Sequence, residues 1–356
     1  MQSDVVETPI LLGIGTRSQR FDDPREGLDA VQLMQRALAL AARDIGERGD
    51  EIFAHVDLVL VPQGTWQLVD PGRLVLDGRA SSTRSVVAEL GVLQQSIMTR
   101  AIEELQTGSS KVALILGGEA KYRALRAQIL GIELPPIHQI VAGGSVERMV
   151  PSNEVITDLE IHRDLAVPAH QYALIESALR SRAGRTLRDQ AWSVAELVAG
   201  LSDVAAANPD AWTPRAMTAE AVMEAPRVAA PYTKPCCSQW NVDQAVALVL
   251  TTESYARSLG CDPEKFVYPV AAAESNLMVP VTEREELWSS PAARFVGEEI
   301  AERCGQPLHD IDLLELYSCF PSAVQVQLDE LRIDQGSRPL SVTGGMHFGG
   351  GPLNSF

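Results

Sequence analysis

Along the first 120 residues, short apolar runs rich in β-branched side chains alternate with longer stretches in which apolar positions recur every three or four residues. That alternation is the pattern of strands joined by crossover helices. Pro9 to Ile14 reads as a strand. From Leu28 to Ile45, Val31, Met34, Leu38, Ala41 and Ile45 line one face of an amphipathic helix, with Asp22 and Asp23 before Pro24 as expected caps. Val56 to Val61 (VDLVLV) is almost wholly apolar, as a parallel strand covered on both faces should be. Between Val86 and Gln106, Val87, Leu90, Gly91, Leu93, Ile97, Ala101, Ile102 and Leu105 surround most of a predicted helix, which places it centrally. Lys111 to Ala120 then predicts a strand that carries a double glycine.

The texture changes between about Lys121 and Pro231. Loops around Pro135, Pro136, Pro151 and Asn153 precede helical periodicity at Ala173 to Arg182 and Leu187 to Leu201, and Asn208-Pro209-Asp210 signals a turn. This predicts an inserted helical subdomain. After Pro235 the strand and helix alternation resumes, with strands expected at Val246 to Thr251, Val267 to Ala272, Ile311 to Cys319 and Leu340 to Thr343. Helices are expected at Pro291 to Cys304 and Ser322 to Leu331, before a glycine-rich turn from Gly344 to Phe356. The expected organisation is α/β in three segments, 1–120, 121–235 and 236–356.

Composition narrows the function classes. Thirty Lys and Arg against 47 Asp and Glu give a formal charge of −17, which argues against a nucleic-acid partner. With 46% hydrophobic and 22% charged residues, the chain is a folded globular protein, and 356 residues suggest about two folding units. Five cysteines, with Cys236 and Cys237 adjacent, make no complete disulfide framework, so a reducing compartment is expected. The opening residues have neither the basic nor the long apolar region of a secretory signal, and no stretch is long enough to span a bilayer. The expected location is the cytoplasm. The histidines have no zinc-ligand spacing, Gly13-Ile14-Gly15 lacks the third glycine of a dinucleotide fingerprint, and no G-x-S-x-G elbow occurs. No metal is expected.

Two βα-rich halves around a helical insertion, ending in ELYSCFPSAVQVQ and SVTGGMHFGGGPLNSF, resemble the thiolase superfamily. The resemblance is to thiolase-like proteins of the sterol-carrier-protein type, often described as acetyl-CoA acetyltransferases. It runs through LLGIG, GVLQQSIMTRAIEEL, LILGGEAKYR, NPDAW, PYTKP and VDQAVALVL, whose order along the chain carries it. It implies a layered α-β-α-β-α architecture with an inserted helical loop subdomain, and coenzyme A or an acyl-CoA as ligand.

The same resemblance exposes what the chain lacks. The family's nucleophilic cysteine stands at the N-terminus of the first half's central helix, where amide donors favour a thiolate. Here Ala88 falls at that position, Gly91 matches the family glycine, and no cysteine precedes Cys236. In the family's G-G-x-x-x-x-G-H-P motif, Gly344, Gly345, Gly350 and Pro352 match and Gly351 replaces the histidine, leaving His347 as the only imidazole in the turn. The third motif reads Tyr317-Ser318-Cys319-Phe320, and relatives that perform retro-aldol cleavage use a tyrosine at its first position as acid or base. Tyr317 is thus either such a group or a buried tyrosine capping a strand end, and Cys319 is the family's ordinary cysteine there.

The family's later C-x-G loop, second central helix and last two strands do not follow within 356 residues. The expectation is a fold completed by further residues or by a partner chain, and a 356-residue chain that is insoluble or molten alone. Coenzyme A phosphates in the family are held largely by the insertion, where Arg180, Arg182, Arg185 and Arg188 form the densest basic cluster. The alternative is a solvated helix end. Three functions follow: an acyl-CoA binder without Claisen thiolase chemistry, a retro-aldolase or related lyase on a CoA ester using Tyr317, or a subunit whose role is assembly.

Overall fold

The computed structural model describes residues 7–78, 82–137, 145–153, 156–336 and 338–352, so the last residues of the glycine-rich terminus, 353–356, lie outside the description. The chain groups into two compact units. The first contains residues 1–152, 241–272 and 352–356, and the second contains residues 153–240 and 273–351.

The first unit is built on strands β1 (Pro9–Ser18), β2 (Leu58–Pro62), β3 (Arg84–Ala88), β4 (Val112–Ala120) and β5 (Val146–Met149). Between them run helices α1 (Ala30–Ile45), α2 (Gly49–Ala54), α3 (Pro71–Leu76), α4 (Gln94–Gln106) and α5 (Lys121–Leu130). All five residues of β2 are buried, because alternate side chains enter different cores. Val59 and Val61 pack with α1 residues such as Met34, Leu38 and Ala41, whereas Leu58 and Leu60 pack with Ile97, Ala101 and Leu105 of α4. A strand covered by helices on both faces needs apolar residues throughout, as VDLVLV provides.

Two local readings are corrected here. The segment from Val86 is not helical: β3 pairs in parallel with β2 and β5, Gly91 turns the chain at φ +99°, and the helix starts at Gln94. The β-branched Val86-Val87 pair favours the strand and the left-handed glycine ends it. The cap of α1 is Asp29, reciprocally bonded with Gln32, and not Asp22 or Asp23.

The second unit carries α6 (Asp158–His162), α7 (Pro168–Arg182), α8 (Leu187–Ala207), α9 (Ala219–Glu224) and the short ribbon β6 (Arg227–Ala229) and β7 (Tyr232–Thr233). The chain then returns to the first unit through β8 (Asp243–Thr252) and α10 (Glu253–Ser258). The sequence pattern placed β8 in the second half. It instead lies between β1 and β4, antiparallel to both, and the six-stranded order is β1-β8-β4-β2-β3-β5. Its alternating small and apolar residues suit either sheet, and only strand pairing decides between them.

The remaining helices of the second unit are α11 (Pro291–Cys304), α12 (Pro321–Leu331) and α13 (Gly345–Phe348). Val194, Val198, Leu201 and Ala205 of α8 form its core with Tyr232, Phe320, Val324, Leu328 and Phe348. Three expected strands run extended without joining a sheet among the described residues. Val267 makes one bridge to Leu11, Leu316 donates its amide to Leu340 O at 3.1 Å, and Leu313 and Val342 remain 73% and 50% exposed. Their apolar content is that of strands, but a strand is defined by a partner.

Candidate functional site

The candidate residues of the second unit's third motif lie where the chain enters α12. Pro321 occupies the first helical position and Phe320 the extended residue before it, a placement that suits a residue with no N–H to offer. Phe320 stacks on Tyr172 of α7, with ring centroids 4.7 Å apart, and Cys319 O accepts Ser238 N at 3.0 Å. Tyr317 is held through its backbone: its amide donates to Gln327 Oε1 at 3.2 Å, and Gln327 Nε2 donates to its carbonyl at 2.7 Å.

Two phenols converge on one thiol. The hydroxyls of Tyr172 and Tyr317 lie close enough to Cys319, and to each other, for each to alter the others' proton affinity. Tyr317 leaves 56% of its surface in solvent, although its hydroxyl has lost most of its water. Loss of water around the hydroxyls, followed by the neighbouring Cys319, raises both tyrosines above their ordinary range, and burial pushes the Cys319 thiol up to about 11. At neutral pH the cluster is therefore two neutral O–H donors and a protonated thiol. It can donate hydrogen bonds to a carbonyl or enolate oxygen but offers no thiolate.

Behind Tyr172 lies a buried polar network. Its carbonyl is 3.1 Å from the Tyr232 hydroxyl and 3.2 Å from Ser322 Oγ, and the Tyr232 hydroxyl is 2.9 Å from Glu176 Oε2. Glu176 is fully buried and accepts from Gln190 at 2.5 Å and Gln325 at 2.9 Å; burial raises its pKa against the effect of these donors. Neither Tyr172, Glu176, Tyr232 nor Gln327 was singled out by sequence. Nothing in their local spacing marks them as partners, since they come from three separate segments, α7, β7 and α12.

The glycine turn is close by within the same unit, but its amides serve the protein itself. Gly344 N and Gly345 N donate to Ser341 Oγ at 2.9 and 2.7 Å, Met346 N donates to Ser318 Oγ at 2.9 Å, and Gly351 N donates to Gln239 O at 3.0 Å. Gly344 has φ +97°, and a Cβ on it would come within 2.4 Å of Ala205, so its missing side chain admits α8. Gly350 takes φ +117° and leads the chain to the buried Gly351. His347 is fully buried, with Nε2 3.1 Å from Cys236 O, and burial depresses its pKa to about 4. The neutral ring must donate through Nε2 to that carbonyl, which leaves Nδ1 as a buried acceptor without a partner among the described residues.

Ala88 lies in the first unit at the end of β3, 1% exposed, and not at a helix N-terminus. The first turn of α4 carries Gln94, Gln95 and Ser96 instead. Of the four arginines, Arg182 and Arg185 line a cleft of about 460 Å³ with Gln190, Ser193, Gln325, Asp329 and Asp334. Arg182 lies 3.7 Å from Asp329, and Arg185 donates to Gln190 Oε1 at 3.2 Å. Arg180 donates to the carbonyl of Arg185 at 3.0 Å, and exposed Arg188 sits in the first turn of α8. The described residues contain no group of three or more His, Cys, Asp or Glu able to hold a metal, and no helix among them is long and apolar enough to cross a membrane.

These elements are those of an α/β protein of the thiolase type. No protein-family model matches the chain, and no curated protein matches it in sequence. Among solved structures, it superposes on a monomeric SCP2-thiolase-like protein type 1 from Mycobacterium smegmatis with a TM-score of 0.76 and 26% identity, covering 98% of this chain and 69% of that one. The Ltp2-ChsH2(DUF35) aldolase matches with a TM-score of 0.71 and 18% identity over 97% of this chain and 86% of that one. Human mitochondrial 3-ketoacyl-CoA thiolase, solved in complex with CoA, matches at 0.65 and 15% over 99% and 89%. The chain belongs to the thiolase superfamily and is SCP2-thiolase-like.

Proposed function

We propose that this chain is an acyl-CoA-binding member of the thiolase superfamily without Claisen thiolase chemistry. The observation that carries this is the state of its thiols: none precedes Cys236, and Cys319, the one in the family's third motif, is buried and protonated. A thiolase divides its reaction through a covalent acyl-thioester, which requires a thiolate. The thiolase solved with CoA supports a CoA ester as the ligand class. In this reading Arg180, Arg182, Arg185 and Arg188 meet the phosphates, and the pantetheine runs toward Tyr317 and the glycine turn. Calorimetric titration with CoA and acetyl-CoA tests it. A double Arg182→Ala, Arg185→Ala variant is expected to bind more weakly and with less salt dependence, whereas unchanged affinity moves the phosphates elsewhere.

A second reading, a lyase acting on a CoA ester, is favoured by the neighbouring neutral phenols of Tyr172 and Tyr317, the latter on a residue that keeps 56% of its surface exposed. Two neutral donors close together suit an oxygen that gains charge during C–C cleavage, with Tyr317 moving the proton. Loss of turnover in Tyr317→Phe with retained ligand affinity is its expected signature. The aldolase among the structural matches is a two-component complex, which supports assembly with a partner chain that covers the unpaired extended segments. Five free cysteines suit a cytoplasmic, reducing location.

A further inference from the structure

Tyr317 follows a stretch, residues 311–316, that joins no sheet among the described residues and makes one backbone bond, Leu316 N to Leu340 O, yet the backbone of Tyr317 is doubly bonded. Both bonds go to the side chain of Gln327, two turns into α12. In an antiparallel sheet a hydrogen-bonded residue gives its N–H and receives an N–H through two peptide groups of the neighbouring strand. The carboxamide of glutamine has the same planar donor and acceptor arrangement as one peptide group, and here it meets both sides of Tyr317. Gln327 Nε2 also donates to Ala323 O at 2.8 Å, so both its hydrogens are used and its oxygen takes the Tyr317 amide. Turning the amide over would set oxygen against two carbonyls, which locks its orientation.

We propose that Gln327 is the positioning residue of this site, a side-chain substitute for a strand that fixes the backbone carrying the Tyr317 ring. The inference deepens the reading of Tyr317 as the ligand-facing acid, and it is tested without any ligand. Gln327→Met keeps the volume and removes all three hydrogen bonds. Gln327→Glu offers a protonated carboxyl, with one donor and one acceptor, at acid pH and an acceptor-only carboxylate near neutrality.

Two signals report the position of Tyr317. One is the ring-carbon NMR line of ¹³C-tyrosine-labelled protein, assigned with Tyr317→Phe, and the other is the rate of Cys319 alkylation by iodoacetamide. The expected result in Gln327→Met at pH 8 is a Tyr317 line moved toward that of solvated tyrosine, with alkylation faster by about tenfold or more, since two backbone hydrogen bonds are lost. Gln327→Glu should resemble wild type in acid and the Met variant near neutrality. A Met variant with the wild-type line and alkylation rate would show that Gln327 only fills space, and would overturn the proposal. If the Met variant does not fold, a pH-independent, wild-type-like Tyr317 line in Gln327→Glu overturns it equally. Failure of the functional reading is separate, because it appears as absent CoA-ester binding or turnover in the unaltered protein.

Discussion

Asp243 opens β8 with 1% of its surface exposed, and its carboxylate accepts the Arg123 amide at 3.0 Å and Gln19 Nε2 at 3.3 Å. Burial outweighs these donors and raises its pKa from 3.8 to about 6. A carboxyl that is harder to ionise when folded keeps its proton to higher pH than the unfolded chain does. It therefore costs nothing below the unfolded value, and its cost grows as pH rises from about 4 to about 6 and then stays constant. About two pH units at 1.36 kcal/mol each give about 3 kcal/mol at neutral pH. Asp243→Asn removes the ionisation and keeps an oxygen for the Arg123 amide. Its NH₂ faces Gln19 Nε2, but the protonated wild-type carboxyl meets the same mismatch, so that effect cancels in acid. The expected outcome is a variant that matches wild type at pH 4 and gains on it by about 3 kcal/mol by pH 7, measured by urea unfolding across the range. Every other titrating group is common to both proteins and drops out of the difference. A flat difference, or one that swings toward wild type as pH rises, would show that the donors hold Asp243 ionised and would refute the reasoning.

Gly344→Ala should destabilise by about 1–3 kcal/mol more than Gly305→Ala: both glycines are left-handed, but a Cβ at Gly344 meets Ala205 whereas one at Gly305 meets nothing within 4 Å. Thermal or urea unfolding of the pair isolates the overpacking, and equal losses would place α8 farther from the turn. Acetoacetyl-CoA thiolysis should stay at background in wild type and in Cys319→Ala alike, and turnover dependent on any cysteine would refute the proposed function. Because the Cys319 thiol titrates at about 11, its alkylation by iodoacetamide should rise about tenfold per pH unit between pH 8 and 10, and a plateau near pH 8 would reveal a thiolate.

Much of the first unit was legible in sequence because both helix and strand periods are local. VDLVLV announced a strand buried on two faces, and Val31, Met34, Leu38, Ala41 and Ile45 announced the inner face of α1. The same logic misread Val86 to Leu93, since a run of small and apolar residues suits a strand and a glycine turn as well as a helix. The thiolase resemblance pointed to Tyr317 and Cys319 through the third motif, yet it singled out none of Tyr172, Tyr232, Glu176 and Gln327. Those side chains meet only because α7, β7 and α12 pack around one core.

By itself the sequence determined the α/β class, the thiolase relationship, the absence of any cysteine before Cys236, and the tyrosine in the third motif, for all of these reside in residue type and order. The tertiary structure decided where β8 belongs, because an antiparallel strand joins whichever edge completes its hydrogen bonds. It decided that the Gly344 and Gly345 amides are bonded to Ser341 and the Met346 amide to Ser318, and that His347 is neutral and enclosed. It also placed Tyr172 near Tyr317 and Cys319. The partners of His347 and Glu176 include residues more than a hundred positions away, and their effect on proton affinity exists only once those residues have been packed together and water has been removed.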